Sequence, residues 1–235
     1  MNHKMIENHG IALVHQFFPG TGFTYDHMVN LCTIGFDRYW KNRMLEKIPE
    51  GSTRIMDQAC GTGILTLKIA RKFPQCQIIG VDVTKEYLTI AKEKAASMKL
   101  GNVHFILGRA EDVLLDQSFD CITSSYLAKY AELGDLIRNV KNMLKDGGTL
   151  IMHDFTYPPN RAFSHFWELY FKLLQTAGAW KYPQWRAIFD GLPGLLRETR
   201  WTGELERSLQ ENGFPDITIE YLTLGTSAIV TAKKA

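Results

Sequence analysis

A carboxylate, two glycines and an apolar helical pattern follow one another without interruption between Arg54 and Phe73, and few folds accommodate that succession. The stretch reads Arg54-Ile55-Met56-Asp57-Gln58-Ala59-Cys60-Gly61-Thr62-Gly63. Ile55 and Met56 suit a buried strand, while Gly61 and Gly63 admit backbone angles that a side chain disfavours. Leu65, Ile69 and Phe73 then recur every four residues until Pro74 stops the helix. A strand, a glycine turn and a helix start in this order form a nucleotide-binding turn.

Two details count against a dinucleotide in that turn. Thr66 replaces the third glycine of G-x-G-x-x-G, and Asp57 ends the strand, where an acid repels a pyrophosphate and favours a cation. S-adenosylmethionine (SAM) carries a sulfonium and an ammonium, and no phosphate. Gln77 to Val81 reads as the next strand, and Asp82 closes it 19 residues beyond Gly63, where a carboxylate can accept both ribose hydroxyls. Asp57-x-x-x-Gly61-x-Gly63 followed by Asp82 resembles motifs I and II of class I SAM-dependent methyltransferases. The alternative is a structural turn flanked by two solvated acids.

The 235 residues suit one domain with a substantial core. Lys and Arg number 27 against 25 Asp and Glu, so a net charge of +2 makes no electrostatic case for nucleic acid. Cys32, Cys60, Cys76 and Cys121 are scattered without a C-x-x-C pair, which suits reduced thiols in a cytoplasmic protein and suggests no metal site. Neither a leader pattern nor an apolar run of membrane-spanning length is expected.

Met1 to Gly22 reads as an arm or short helix with one apolar patch, Ile11 to Val14. Tyr25 to Ile48 is helical in pattern, with Met28, Leu31, Tyr39, Trp40 and Met44 on apolar faces, before Pro49 and Gly51 break it. This N-terminal helical segment is placed at 23–48. Its order, Tyr25-Asp26-His27-Met28, Gly35, then Trp40-Lys41, resembles the opening of the UbiE/COQ5 family of quinone C-methyltransferases, with Val29 where that family usually has Asn. Beyond Asp82, Thr84 is placed to cap a helix with Leu88, Ala91, Ala95 and Met98 on its apolar face, and Gly101 to stop it. Val103 to Leu107 reads as a buried strand, followed by a strand from Phe119 to Thr123, a helix from about Glu132 to Leu144, and a strand from Leu150 to Met152. A last helix capped by Thr202 and a closing hairpin, Ile217 to Leu222 and Ser227 to Thr231, complete the pattern.

The expected fold is therefore α/β: a Rossmann-like class I methyltransferase sheet, mostly parallel with a C-terminal antiparallel hairpin and helices on both faces, in one domain over 1–235. The segment 157–200 breaks the βα alternation with Pro158-Pro159 and a run of aromatic residues. It reads as an amphipathic helix on the sheet, a lid over substrate, or both.

The resemblance implies SAM as cofactor, with Asp57 at its amino-acid end, Asp82 at the ribose, and Ala59, Gly61, Gly63, Val83, Ala110, Glu111 and Ser124 around it. Arg109 stands where the family usually has Asn or Asp. It also implies a small aromatic or quinol-like acceptor, held by Tyr25, Lys129, Tyr130, Phe163, Trp167, Tyr170 and Trp185, methylated on carbon or oxygen. Lys129-Tyr130 replaces the usual Arg-Asn pair. A phenol or hydroquinone becomes nucleophilic on losing its proton, so His153, Asp154 and Tyr25 are the candidate catalytic groups. A lone strand-end histidine is also commonly structural. Phospholipid or small-amine N-methylation, a SAM-binding partner without turnover, peripheral membrane contact and a homodimer all stay open.

Overall fold

The structure, a computed structural model, describes residues 3–235. Met1 and Asn2 of the expected N-terminal arm lie outside the described residues. Three helices open the chain: α1 (His3–Phe17), α2 (Gly22–Cys32) and α3 (Phe36–Lys47). The arm is thus a full helix. The single helical segment expected over 23–48 is split in two, because Ile34 and Gly35 take left-handed backbone angles, φ 52° and 82°.

The alternating unit follows: β1 (Arg54–Gln58), α4 (Ile64–Lys72), β2 (Gln77–Asp82), α5 (Lys85–Ser97), β3 (Val103–Leu107), β4 (Phe119–Ser125), α6 (Leu133–Met143) and β5 (Leu144–Phe155). Four helices come next: α7 (Arg161–Leu173), α8 (Ala179–Lys181) after a π-helical turn at Leu174–Gly178, α9 (Arg186–Glu198) and α10 (Trp201–Glu211). The chain closes with β6 (Asp216–Leu222) and β7 (Ser227–Lys233).

The seven strands form one sheet in the order β3-β2-β1-β4-β5-β7-β6, with β1 to β5 parallel and β7 antiparallel to both neighbours. Side chains alternate across it. Met56, Ile122 and Val230 face α6 and α10, whereas Ile55, Ile78, Cys121 and Ile229 face Trp40 and Met44 of α3 and Leu65 and Ile69 of α4. A third apolar cluster joins Phe17 of α1 and Met28 of α2 to Phe171, Trp185, Ile188 and Phe189 of the segment after β5.

Four local expectations are corrected. β3 is an edge strand, so it is half-buried rather than enclosed, and Leu107 is exposed. Lys99, at φ 55°, makes the left-handed turn after α5, not Gly101. Thr84 occupies the N-cap position of α5 without a side-chain bond, and Thr202 lies inside α10 rather than before it. The strand order reverses between β1 and β4, and a ligand crevice forms where such reversal parts the connections.

Candidate active site

The turn after β1 is built around Asp82. Its Oδ2 accepts the Gly61 N–H and its Oδ1 the Thr84 N–H, each at 2.8 Å, so the carboxylate braces two loops and keeps lone pairs for a ligand. Burial raises its pKa, against those backbone donors. Ala59 and Gly61 take φ 53° and 57°, which suits glycine and strains alanine. Gly63, at φ 84°, takes a left-handed angle too and also serves packing. A Cβ there would stand 3.2 Å from Leu67 and 3.3 Å from Ala91, so its absence lets the turn close against α4 and α5. Gly63 lines none of the three cavities of the site.

Asp57 lies beneath the turn, fully buried. Thr66 Oγ1 donates to its Oδ2 at 2.6 Å and Thr123 Oγ1 to its Oδ1 at 2.7 Å. Burial pushes its carboxyl up to about 6, opposed by those two hydrogen bonds and by the charge of Lys41. Asp57 and Lys41 line one small cavity with Gly61, Ser125, Tyr25 and Tyr126. A second cavity contains Asp82, Val83, Arg109, Ala110 and Glu111, with Tyr87 below and Ile11, Val14 and Phe18 of the first helix and its end as one wall.

This set fits SAM. An acid and a buried ammonium face the zwitterionic end, a braced carboxylate stands where ribose hydroxyls need acceptors, and an apolar slot with backbone amides follows for adenine. Lys41 was not legible as a site residue. It is buried on α3, donates to Asp37 Oδ1 at 2.7 Å and Ser125 Oγ at 2.9 Å, and lies 4.3 Å from the Tyr126 ring centre. Tyr126, at φ 68°, donates to the same Asp37 oxygen at 2.6 Å.

The third cavity, open to solvent and about 1100 Å³, is walled by aromatic rings, among them Phe163, Trp167, Tyr170 and Trp185. Among the described residues Lys129 is the one charged side chain on this wall, and Tyr130 lies beside it. The Lys129 ammonium donates to Asp154 Oδ1 at 2.5 Å, and burial lowers its pKa against that partner. Tyr25 and Tyr126 line all three cavities, so cofactor and acceptor spaces meet at these two phenols. Burial raises the Tyr25 pKa well above 10, with Tyr87 and Asp37 adding to it, which keeps the phenol protonated.

The remaining candidates lie off the cavities. His153 is enclosed, with Nδ1 sharing a hydrogen bond with Ser125 Oγ at 2.9 Å and Nε2 with Ser227 Oγ at 2.6 Å. Burial, then Lys41 and Lys129, lower its pKa well below 6.5, so the ring is neutral and has no free edge for a substrate. Asp154 is engaged by Lys129 and by the amide of Phe155. Ser124 is enclosed with no partner for its Oγ among the described residues, whereas Ser125, one position on, lines two cavities. No group of His, Cys, Asp and Glu able to hold a metal occurs among the described residues.

The sheet order, the braced glycine turn and the paired acids define a class I methyltransferase with SAM as its cofactor. The family described as "Methyltransferase domain" matches residues 49–213, and the chain belongs to it. It is 28% identical over 229 residues to the ubiquinone/menaquinone biosynthesis C-methyltransferase UbiE of Geotalea daltonii, spanning 94% of this chain and 96% of that protein. It is 25% identical over 220 residues to a demethylmenaquinone methyltransferase of Staphylococcus aureus, spanning 92% and 90%. Among solved structures, a putative SAM-dependent methyltransferase of Methanococcus maripaludis shares the fold at TM-score 0.65 and 15% identity, over 91% of this chain and 92% of that one. A phosphoethanolamine N-methyltransferase 2 of Haemonchus contortus, solved with SAM, does so at TM-score 0.59 and 15% identity, over 83% and 52%.

Proposed function

We propose that the protein methylates carbon or oxygen of a small aromatic or quinol-like acceptor held in the aromatic cavity. The observation that carries this reading is the junction: Tyr25 and Tyr126 border both the cofactor spaces and a cavity walled by rings. The UbiE-type relatives support it. When bound, SAM supplies an electrophilic methyl on a sulfonium, which departs as a neutral thioether. The acceptor oxygen or its ortho carbon forms the new bond, and one proton leaves through the open mouth of the cavity to bulk solvent.

The chain's own groups set up that displacement. Apolar rings align a flat acceptor and exclude water. Tyr25, protonated and without a hydrogen-bond partner among the described residues, donates to the acceptor oxygen. Lys129, whose charge Asp154 balances, has one N–H left for the acceptor oxygen. Asp57 and Lys41 hold the amino-acid end, away from the sulfonium, so neither stabilises a charge that the transition state loses. His153 and Asp154 act as positioning groups: the first orients Ser125, the second Lys129.

An amine or phospholipid headgroup fits this wall less well. Lys129 with Asp154 forms a neutral pair, so no net charge faces the cavity to attract a cation or a phosphate. Segment 157–200 closes over the acceptor in this reading. The test is Trp167→Ala, a ring on the cavity wall: the acceptor KM should rise severalfold while SAM affinity stays constant. Equal loss of SAM affinity would contradict the division of the site.

A further inference from the structure

Three threonines interrupt the apolar wall of the aromatic cavity: Thr33, Thr223 and Thr226. Thr33 Oγ1 donates to the Val29 carbonyl at 2.8 Å and accepts the Asp37 N–H at 3.2 Å, and Thr226 Oγ1 donates to the Thr223 carbonyl at 2.9 Å. Thr223 differs. Its Oγ1 accepts the indole N–H of Trp40 at 2.8 Å, and its own hydroxyl proton has no acceptor among the described residues. Of the three hydroxyls this one alone keeps a proton to donate, and Trp40, buried in the second apolar cluster, fixes the oxygen that carries it.

The backbone at Thr223 is held in a conformation that closing the hairpin does not require. Residues 223–226 join β6 to β7, and a loop of that length is most often built around a type I turn, whose central residues are right-handed. Here Thr223 and Leu224 take φ 47° and 56°, and a positive φ is a genuine outlier for a β-branched residue. Neighbours over-determine the loop. Thr156 donates its Oγ1 to the Gly225 carbonyl at 2.7 Å and its N–H to the Thr226 carbonyl at 2.9 Å, and a Cβ on Gly225 would stand 2.7 Å from the Pro159 ring. Strain held in place by its surroundings clusters at ligand sites. What it secures here is direction: Leu222 is buried in the second cluster and Leu224 is exposed, while Thr223 between them faces the cavity.

We propose that Thr223 is a specificity-determining residue, whose hydroxyl donates to a hydrogen-bond-accepting substituent of the acceptor. That substituent is an ether, carbonyl or second hydroxyl oxygen, carried on the ring away from the oxygen at Tyr25. The inference rests on the reading of the aromatic cavity as the acceptor site. Thr223 lines this cavity and neither cofactor space, whereas Tyr25 lines all three, so the two contacts address different parts of a flat ring. A ring seated by apolar walls alone can turn in its plane; a second fixed donor sets which of its atoms meets the methyl group. An acceptor without an oxygen at that place leaves the Thr223 proton unpaired once water is excluded, and the site discriminates by that penalty. Thr33 and Thr226 cannot substitute, since both protons are committed to backbone carbonyls.

The experiment is calorimetry on the whole protein saturated with S-adenosylhomocysteine, so that no turnover occurs. The probes are meta- and para-methoxyphenol and the meta- and para-ethylphenols, which match them in shape and lack the ether oxygen. At least one methoxyphenol should bind about threefold to tenfold more tightly than its ethyl counterpart. Thr223→Val should abolish that preference by weakening the methoxyphenol alone, and Thr223→Ser, which keeps the hydroxyl, should retain it. Valine leaves the Trp40 indole without an acceptor, so the titration is repeated on Trp40→Phe combined with Thr223→Val, which removes donor and acceptor together. Equal affinity of ether and ethyl probes in the parent, no measurable binding of any of them, or a preference that survives in Thr223→Val overturns the proposal. So does a loss in Thr223→Val that is the same for both probe types, as expected of a residue that only shapes the wall. Methyl transfer from SAM to these phenols without any preference would overturn the role of Thr223 and leave the acceptor reading standing. A preference that depends on Thr223, with no phenol methylated, would overturn the acceptor reading and leave the role of Thr223 standing.

Discussion

Replacing Asp57 with Asn separates what this side chain does to the fold from what it does for the cofactor. Burial moves its carboxyl from 3.8 to about 6. For a raised acid, the folded protein holds a proton that the unfolded chain has lost between those two values. Stability therefore falls as pH rises through about 4 to 6, and above that window the ionised group costs about 3 kcal/mol. Asparagine removes the charge but accepts through one oxygen only, so either Thr66 or Thr123 loses its acceptor, returning about 1 to 1.5 kcal/mol. The net gain is about 1.5 to 2 kcal/mol, which in a chain of this length raises the melting temperature by about 3 to 8 °C. Cofactor binding moves the other way. Losing a charge-assisted bond to the ammonium is worth about 1.5 to 3 kcal/mol, or roughly a tenfold to hundredfold loss of SAM affinity. Calorimetry and thermal melts between pH 5 and 8 read both effects. The parent's SAM affinity should weaken as pH falls through about 6, while the variant's stays flat. A variant that melts lower than the parent and binds SAM as tightly would refute the reasoning.

Asp82→Ala removes the brace of Gly61 and Thr84 together with the ribose acceptors, and calorimetric SAM affinity should drop about tenfold or more. Arg109→Ala should keep affinity within about tenfold, because its guanidinium is directed at Glu111 and Asp112. Trp185→Ala should lower stability by about 3 to 5 kcal/mol in denaturant melts, since this ring is buried in the third cluster and donates to Thr24 Oγ1 at 2.8 Å. His153 is held neutral, so acidification below its ordinary 6.5 protonates the unfolded chain first and lowers stability; His153→Gln should flatten that acid limb in melts and leave the pH profile of kcat unchanged.

The cofactor turn was legible because its signals are local. Two glycines at positive φ and an acid at each of two strand ends specify a turn whatever packs around it. The acceptor walls were legible in part, as aromatic residues beyond what one packed helix face uses. What escaped depends on side-chain direction or on distant partners. Ser124 and Ser125 are adjacent, and alternation along β4 sends them to opposite faces, so one position decides which hydroxyl meets the cofactor space. The left-handed turn at Tyr126 re-aims its ring into all three cavities, and nothing in Ser-Tyr-Leu announces such a turn. Lys41 stands in a helix whose pattern shows only an amphipathic surface; its burial comes from Asp37, Ser125 and Tyr126 converging on it. His153 looked available at a strand end, and two serines, one of them 74 residues away, close both of its edges. The first helix carries one weak apolar patch, and its wall against the adenosine space exists only through tertiary contact.

The central claim is that a methyl group leaves SAM for a ring carbon or oxygen in the aromatic cavity. The most direct measurement follows it: the protein is incubated with SAM carrying a deuterated methyl group and with matched hydroquinone, phenol and amine acceptors, and the products are read by mass and NMR. The account predicts label on a ring carbon or phenolic oxygen of a hydroquinone or phenol, with one equivalent of S-adenosylhomocysteine per product. Label on amines alone, or SAM bound and never consumed across the whole set, would contradict it.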